Sequence, residues 1–106
     1  MLREGKPEDA IPQYLDALRL DPKLAEAHNG LGGALATQGK DAEAMAEYEE
    51  ALRLKPLASA HLNIALLLVK RGEVANARHH LETALSIDPD YTPAARALAA
   101  IGGGAE

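Results

Sequence analysis

The chain has 106 residues, enough for one small domain, and a formal net charge of −5. Acidic and basic residues are interspersed, so the chain lacks the basic stripe that a nucleic-acid partner requires. It contains no cysteine, tryptophan or phenylalanine. This composition excludes disulfides and thiolate sites, and it predicts a shallow, alanine-rich core that depends on stacked neighbours.

No membrane span or signal peptide is expected from the sequence. The longest aliphatic run, residues 64–69, is far too short to cross a bilayer. The N-terminal residues are charged and contain prolines, unlike a secretory leader. The cytoplasm is therefore the default expectation, although composition alone does not fix the compartment.

Glycines and prolines delimit the predicted helices. Gly39 should adopt a left-handed backbone after a helix, because glycine has no Cβ to clash there. Asp41 and Thr92 are predicted N-caps, and Pro12 predicts a bend or a delayed start in the first helix. The predicted helices cover residues 7–20, 24–38, 41–54, 59–71, 74–86 and 92–101, after the last turn of an incomplete helix at residues 1–5.

The chain repeats itself with a period of 33 or 34 residues. Self-similarity at a fixed period of this length is the signature of a repeat array. Alanine favours helix, and spacings of three and four residues place the small side chains on one face, where a neighbouring helix can approach closely. The recurring sets are Gly5, Gly39 and Gly72; Pro22, Pro56 and Pro89; Ala10, Ala44 and Ala77; Tyr14, Tyr48 and Leu81; and Ala17, Ala51 and Ala84.

These residues resemble the tetratricopeptide repeat (TPR) motif. The family places a leucine-glycine pair in the first helix of each repeat, and alanines, an aromatic residue and a closing proline in the second. In the last complete repeat, Ile64 and Ala65 replace the pair and Leu81 replaces the aromatic residue. The central repeat carries Leu31, Gly32, Ala44, Tyr48, Ala51 and Pro56.

The resemblance implies an all-α fold, a right-handed α-solenoid of helix-turn-helix repeats. About two and a half repeats and a C-terminal cap helix would form a single TPR domain over residues 1–106. Within it, we expect a partial repeat at 1–22, complete repeats at 23–56 and 57–89, a cap helix at 90–101 and a flexible tail at 102–106.

The resemblance also implies a non-catalytic scaffold that binds a peptide or helix along a concave groove, which is lined by the first helix of each repeat. Leu62, Leu66 and Val69 would form an apolar stripe within this groove. The alternative is that these side chains simply cover a neighbouring helix. The predicted groove residues are Glu26, Asn29, Gly33, Ala36, Thr37, Ser59, Leu62, Asn63, Leu66, Val69, Lys70 and Arg96.

Asn63 matches an asparagine with which some family members clamp a carboxylate terminus. The basic neighbours of such a clamp are absent, because Asn29, Gly33, Leu62 and Leu66 stand in their places. Asn63 could instead hydrogen-bond the backbone of a ligand, as asparagines do in some sugar-transferase TPR arrays. The partner is therefore expected to be a protein or peptide of unknown identity.

Two alternative functions stay open. The incomplete first repeat would leave Ile11, Tyr14 and Leu18 under-covered, and another copy of the chain could cover them. The chain could therefore be a self-associating, oligomerising module. It could equally be an accessory TPR domain of a larger enzyme or assembly.

The polar residues indicate no enzyme, cofactor or metal site. His28 and His61 occupy equivalent repeat positions, but a metal needs a third ligand, so they are interpreted as packed or partly exposed. His79 and His80 are predicted at the surface, and Glu47 on a solvated helix face. The glycines at residues 29–33 and 39 do not have phosphate-loop spacing, and they are better explained by close helix packing.

Overall fold

The computed structural model describes residues 7–102, and describes side chains for residues 10–101. Within residues 7–102 every regular element is an α-helix and no strand occurs. The predicted all-α class is therefore confirmed, and each helix ends within one residue of its prediction. The helices are α1 (Pro7–Leu20), α2 (Ala25–Thr37), α3 (Asp41–Leu54), α4 (Ala58–Lys70), α5 (Val74–Ile87) and α6 (Thr92–Gly102).

The first of two compact units ends at Lys55 and contains α1, α2 and α3. Helix α2 packs against both α1 and α3. Its contact with α3 is close because the facing positions are small. Ala44 and Ala51 of α3 are completely buried, with Tyr48 between them on the same face. Leu31 and Leu35 of α2 complete the apolar interior.

The second unit begins at Pro56 and contains α4, α5 and α6. Helix α5 packs against α4 on one side and α6 on the other. Ala77 and Ala84 of α5 are completely buried, with Leu81 between them, in the places that Ala44, Ala51 and Tyr48 take in the first unit. The same small-large-small pattern therefore occurs in both helical hairpins, α2–α3 in the first unit and α4–α5 in the second. The buried residues of α4 are Ala60, Ile64, Ala65, Leu67 and Leu68.

Glycine ends the first helix of each hairpin as predicted. Gly39 has φ +83° and Gly72 has φ +82°, in the left-handed region where glycine is favoured. The Gly39 N–H donates to Ala36 O at 2.9 Å, and the Lys40 N–H donates to Leu35 O at 2.9 Å. This pair of bonds is a Schellman motif, which satisfies carbonyl groups that the helix end would leave unpaired.

Both predicted N-caps are wrong by one residue. Lys40 precedes α3, and Asp41 lies inside the first turn, where its negative charge still favours the helix dipole. Tyr91 precedes α6, and its carbonyl oxygen accepts from the N–H groups of Ala94 and Ala95 at 3.1 and 3.3 Å. The Thr92 hydroxyl instead lies 3.5 Å from Asp90 O.

Helix α1 begins at Pro7 and includes Pro12, so of the two outcomes expected at Pro12 the delayed start does not occur, and the bend stays a prediction. The incomplete helix expected at residues 1–5 and the tail from residue 103 onward lie outside the described residues. Among residues 7–102, none of the helices combines the length and apolar character that crossing a membrane requires.

Candidate functional site

The predicted groove residues fall on one face of each helix that carries them. On α2 and α4 they are spaced by one, three or four residues, which keeps them on the same side of an α-helix. The two helices belong to different units, so each face is described separately. The α2 face is Glu26, Asn29, Gly33, Ala36 and Thr37; the α4 face is Ser59, Leu62, Asn63, Leu66, Val69 and Lys70; Arg96 lies alone on α6.

The α2 face carries polar and small side chains. Lys55 Nζ donates to Glu26 Oε2 at 2.6 Å across the surface of the unit, and this hydrogen bond lowers the pKa of Glu26 below its ordinary value. The Thr37 hydroxyl donates to Gly33 O at 2.9 Å. A Cβ at Gly33 would meet nothing nearer than Tyr48 Oη at 4.0 Å. This face can therefore accept an approaching backbone.

The α4 face has an apolar centre. Leu66 is 48% exposed, whereas Leu62 and Val69 are half-buried. These three are four and three residues apart and form one stripe. Ser59 and Asn63 beside the stripe are half-buried, and Lys70 is exposed at the end of the helix.

The other large apolar residues of α4 point into the unit. Ile64, Leu67 and Leu68 are each less than a tenth exposed. The helix is apolar on nearly all sides, but only the side that carries Leu66 is largely exposed. On α6, Arg96 is exposed and stands one repeat period after Leu62. Three large apolar side chains of α4 are thus buried, whereas Leu66 is left largely open.

Within each hairpin, the two helices pack through a matched pair of residues. A Cβ at Gly32 would lie 2.5 Å from Tyr48 Cε1, closer than real Cβ atoms approach, and 3.1 Å from Ala44 O, which is a tight contact. In the second hairpin, Ala65 and Leu81 take the places of Gly32 and Tyr48. The smaller leucine leaves room for the Cβ of Ala65, which is completely buried. The departures from the TPR motif in the last repeat therefore compensate each other.

Gly30 plays a similar part between α1 and α2. A Cβ there would lie 2.4 Å from the ring of Tyr14. Tyr14 therefore packs against α2 and is half-buried, as are Ile11 and Leu18, whereas Leu15 of the same helix is 51% exposed. The prediction that glycines at residues 29–33 permit close helix packing is supported at Gly30 and Gly32.

Histidine links α2 to α3. The Nδ1 of His28 lies 2.7 Å from Glu47 Oε1, and its Nε2 lies 2.9 Å from Pro22 O. Burial lowers the pKa of His28, but these hydrogen bonds and the charges of Glu47 and Glu50 outweigh burial, so the pKa is raised. The prediction of a purely solvated Glu47 is wrong, because its side chain is only 28% exposed and contacts His28.

The equivalent positions of the second hairpin hold two histidines. His61 Nδ1 on α4 lies 3.0 Å from His80 Nδ1 on α5, and the two ring centroids are 5.2 Å apart. Burial, then the charges of His80 and His79, lower the pKa of His61. The prediction that His80 is a plain surface residue is wrong, because it faces α4 and is half-buried.

A metal ion would need several ligand side chains that lie together in the described part of the chain. Within it, no three side chains of histidine, aspartate or glutamate converge as a metal site needs.

Sequence comparison shows which protein family the repeat region resembles. Residues 2–59 match the tetratricopeptide repeat family, and residues 58–91 match a second description of the same repeat. The chain belongs to the tetratricopeptide repeat family. Its similarity to solved TPR structures agrees with this. It superposes on the crystal structure of MamA with a TM-score of 0.81 and 28% identity, covering 94% of this chain and 59% of that one.

A second solved structure is described as YrrB, a TPR protein with an unusual peptide-binding site. Its TM-score is 0.77 at 27% identity, and the match covers 86% of this chain and 47% of that one. The family, the all-α TPR fold and the general role of TPR repeats in protein interaction are thus supported by both kinds of comparison.

Curated relatives of this chain are much longer proteins. The TPR repeat-containing thioredoxin TTL4 of Arabidopsis thaliana is 38% identical over 82 residues, 76% of this chain. The probable UDP-N-acetylglucosamine–peptide N-acetylglucosaminyltransferase SPINDLY, also of Arabidopsis thaliana, is 37% identical over 94 residues, 88% of this chain. The chain spans only 12% and 10% of the length of these two relatives.

Proposed function

We propose that this TPR chain is a non-catalytic scaffold that binds a peptide or an amphipathic helix on the α4 face, with Ser59, Asn63 and Lys70 beside the apolar stripe as polar flanks. The observation that carries the proposal is the position of Leu66. It is 48% exposed at the centre of an apolar stripe, on a helix whose other leucines at 67 and 68 are buried. An apolar side chain of the partner would remove Leu66 from water, which supplies binding energy.

The loss expected on changing Leu66 can be estimated. Full burial of a leucine side chain contributes about 1.5–3 kcal/mol, and Leu66 has roughly half of its surface left to bury. Because each 1.4 kcal/mol is a factor of ten in affinity, Leu66→Glu should weaken peptide binding by roughly tenfold or more. The glutamate would add the cost of desolvating a charge in the contact.

The chain contains a matched control for this change. Leu15 on α1 is 51% exposed, nearly the same as Leu66 at 48%, so Leu15→Glu should cost equally little folding stability. The probe is a displayed library of random peptides selected on the wild-type chain. Selected peptides should lose affinity for Leu66→Glu and keep it for Leu15→Glu. Equal affinity for wild type and Leu66→Glu would contradict the proposal.

Self-association is the second candidate, and the exposure of Leu15 on α1 favours it. The side chains that suggested it from the sequence, Ile11, Tyr14 and Leu18, are half-buried, so a contact between copies would use the exposed Leu15 and Leu20 of α1. Sedimentation equilibrium of wild type and Leu15→Glu tests this idea. A wild-type monomer at the highest soluble concentration would refute it.

An accessory role in a larger protein is a third proposal. Its support is that both curated relatives contain this repeat region within much longer chains. In that case the faces described above would hold a substrate or a subunit for a neighbouring domain. The peptide-selection experiment applies unchanged, because it probes the repeat region itself.

A further inference from the structure

Two side-chain pairs, His28–Glu47 and His61–His80, occupy the same place in the two hairpins. His28 and Glu47 of α2 and α3 are each 33 residues before His61 and His80 of α4 and α5. In both hairpins the first imidazole uses Nδ1 to reach the second helix, at 2.7 and 3.0 Å. One contact thus joins an imidazole to a carboxylate, and its counterpart joins two imidazoles. The chemical difference at a shared position is the basis of the inference.

His28 is placed to carry a positive charge. Both of its ring nitrogens face oxygen atoms that only accept hydrogen bonds, Glu47 Oε1 and Pro22 O. A neutral imidazole has a single N–H and can satisfy only one of them. The protonated ring donates to both, and its bond to the carboxylate is charge-assisted. Protonation therefore completes the contact between α2 and α3.

The pair in the second hairpin behaves in the opposite way. Two Nδ1 atoms at 3.0 Å can share a hydrogen bond only if one carries a proton and the other offers a lone pair. If both rings are protonated, two N–H groups and two positive charges face each other. His79, whose ring centroid is 5.9 Å from that of His80, adds to the repulsion once it is charged. Double protonation therefore opposes the contact between α4 and α5.

We propose that these pairs give the two hairpins opposite responses to acid, so that acidification strengthens the α2–α3 contact and weakens the α4–α5 contact.

The surrounding charges agree with this assignment. Glu47 and Glu50 of α3 both favour a protonated His28. On α1, which packs against α2, Asp16 and Arg19 pair with each other at 2.9 Å on the surface.

In the second unit, the groups that act on His61 are His80 and His79 of α5. Arg96 of α6, the helix packed on the other side of α5, is exposed and is not among the groups that shift the His61 pKa. The groups that act on the two rings therefore shift their pKa values in opposite directions, upward for His28 and downward for His61.

The pH windows follow from the directions of the two shifts. The pKa of His28 is raised above its ordinary value of about 6.5. Its contribution to stability is therefore fully present below that value, and it is lost as pH rises through the raised pKa. The pKa of His61 is lowered. Its contribution is present above about pH 6.5 and is lost as pH falls through the lowered pKa.

The test exchanges the second residue of each pair. His80→Glu gives the second hairpin the chemistry of the first, and Glu47→His does the reverse. The titration midpoints of the His28 and His61 rings are measured by NMR in the full chain. In wild type, His28 should titrate above the unfolded value and His61 below it. His80→Glu should move the His61 midpoint upward, and Glu47→His should move the His28 midpoint downward.

A second readout separates this device from a merely structural contact. Amide hydrogen exchange, corrected for intrinsic rates, is compared for the two hairpins at about pH 7.5 and about pH 5.5, on either side of the histidine range. Protection of α4–α5 should fall in acid relative to α2–α3 in wild type, and should not fall in His80→Glu. His80→Gln serves if His80→Glu does not fold. Equal midpoints for His28 and His61, or the same acid response of both hairpins in all variants, would overturn the proposal.

Discussion

Two adjacent glycines of α2 provide a quantitative test of the hairpin packing. Gly32 and Gly33 are neighbours in one helix, so Gly→Ala at either position gains the same helix propensity, about 1 kcal/mol. They differ in what a Cβ would meet. At Gly33 the nearest atom is 4.0 Å away, whereas at Gly32 two atoms of the Tyr48 ring lie within 2.6 Å. The difference between the two variants therefore isolates the clash with Tyr48.

The size of that clash follows from how little Tyr48 can move. Its ring is 2% exposed and lies between completely buried alanines, so it has no free space to enter. Overpacking of this kind costs about 1–3 kcal/mol. Gly33→Ala should stabilise the chain by up to about 1 kcal/mol. Gly32→Ala should be about 1–3 kcal/mol less stable than Gly33→Ala, because the overpacking cost falls on position 32 alone.

The second hairpin supplies the compensating change. There, Ala65 and Leu81 stand one repeat period after Gly32 and Tyr48 and are both buried, so Tyr48→Leu should make room for an alanine at position 32. In the Tyr48→Leu background, Gly32→Ala should become stabilising, and the coupling energy of the double-mutant cycle should be about 1–3 kcal/mol. Urea unfolding followed by circular dichroism measures all four stabilities. Equal effects of Gly32→Ala and Gly33→Ala, or a coupling near zero, would refute the packing argument.

Two further substitutions test the repeat architecture. Gly39→Ala forces a Cβ into the left-handed region at φ +83° and should cost about 1–2 kcal/mol, whereas an unchanged unfolding midpoint would contradict the helix-end assignment. Ala51→Leu places a larger side chain at a completely buried position and should cost about 1–3 kcal/mol. Its control, Ala46→Leu on the exposed side of the same helix, should change stability by no more than about 0.5 kcal/mol; equal losses for the two would be the contrary result.

The helices and their ends could be predicted because they depend on local chemistry. Gly39 marks a helix end because glycine adopts this left-handed backbone without penalty. Gly72 repeats the same signal 33 residues later. The N-caps at Asp41 and Thr92 were missed by one residue because helix ends fray and their boundaries vary by one or two residues. Local signals determine that a helix starts, but not its first residue.

The exposed side of α4 was predicted from the TPR resemblance and not from periodicity. Leucines surround the helix, so periodicity alone does not say whether Leu66, Leu67 or Leu68 faces outward, whereas the resemblance placed Leu66 in the groove. The pairing of His61 with His80 was missed for a related reason. The sequence did show that His80 stands one repeat period after Glu47. It did not show which way either side chain points, because that depends on how the two helices of each hairpin are rotated. Ala65 and Leu81 were visible in the sequence as departures from the motif. The structure gives them a common cause, because a Cβ at the equivalent Gly32 would clash with the Tyr48 ring.

The measurement that tests the docking proposal most directly is a methyl NMR titration with a peptide selected on the wild-type chain. The methyl signals of Leu62, Leu66 and Val69 should shift or broaden with bound peptide, and those of Leu15 should stay in place. Shifts confined to Leu15, or spread over α5 without Leu66, would contradict the assignment of the α4 face as the binding surface.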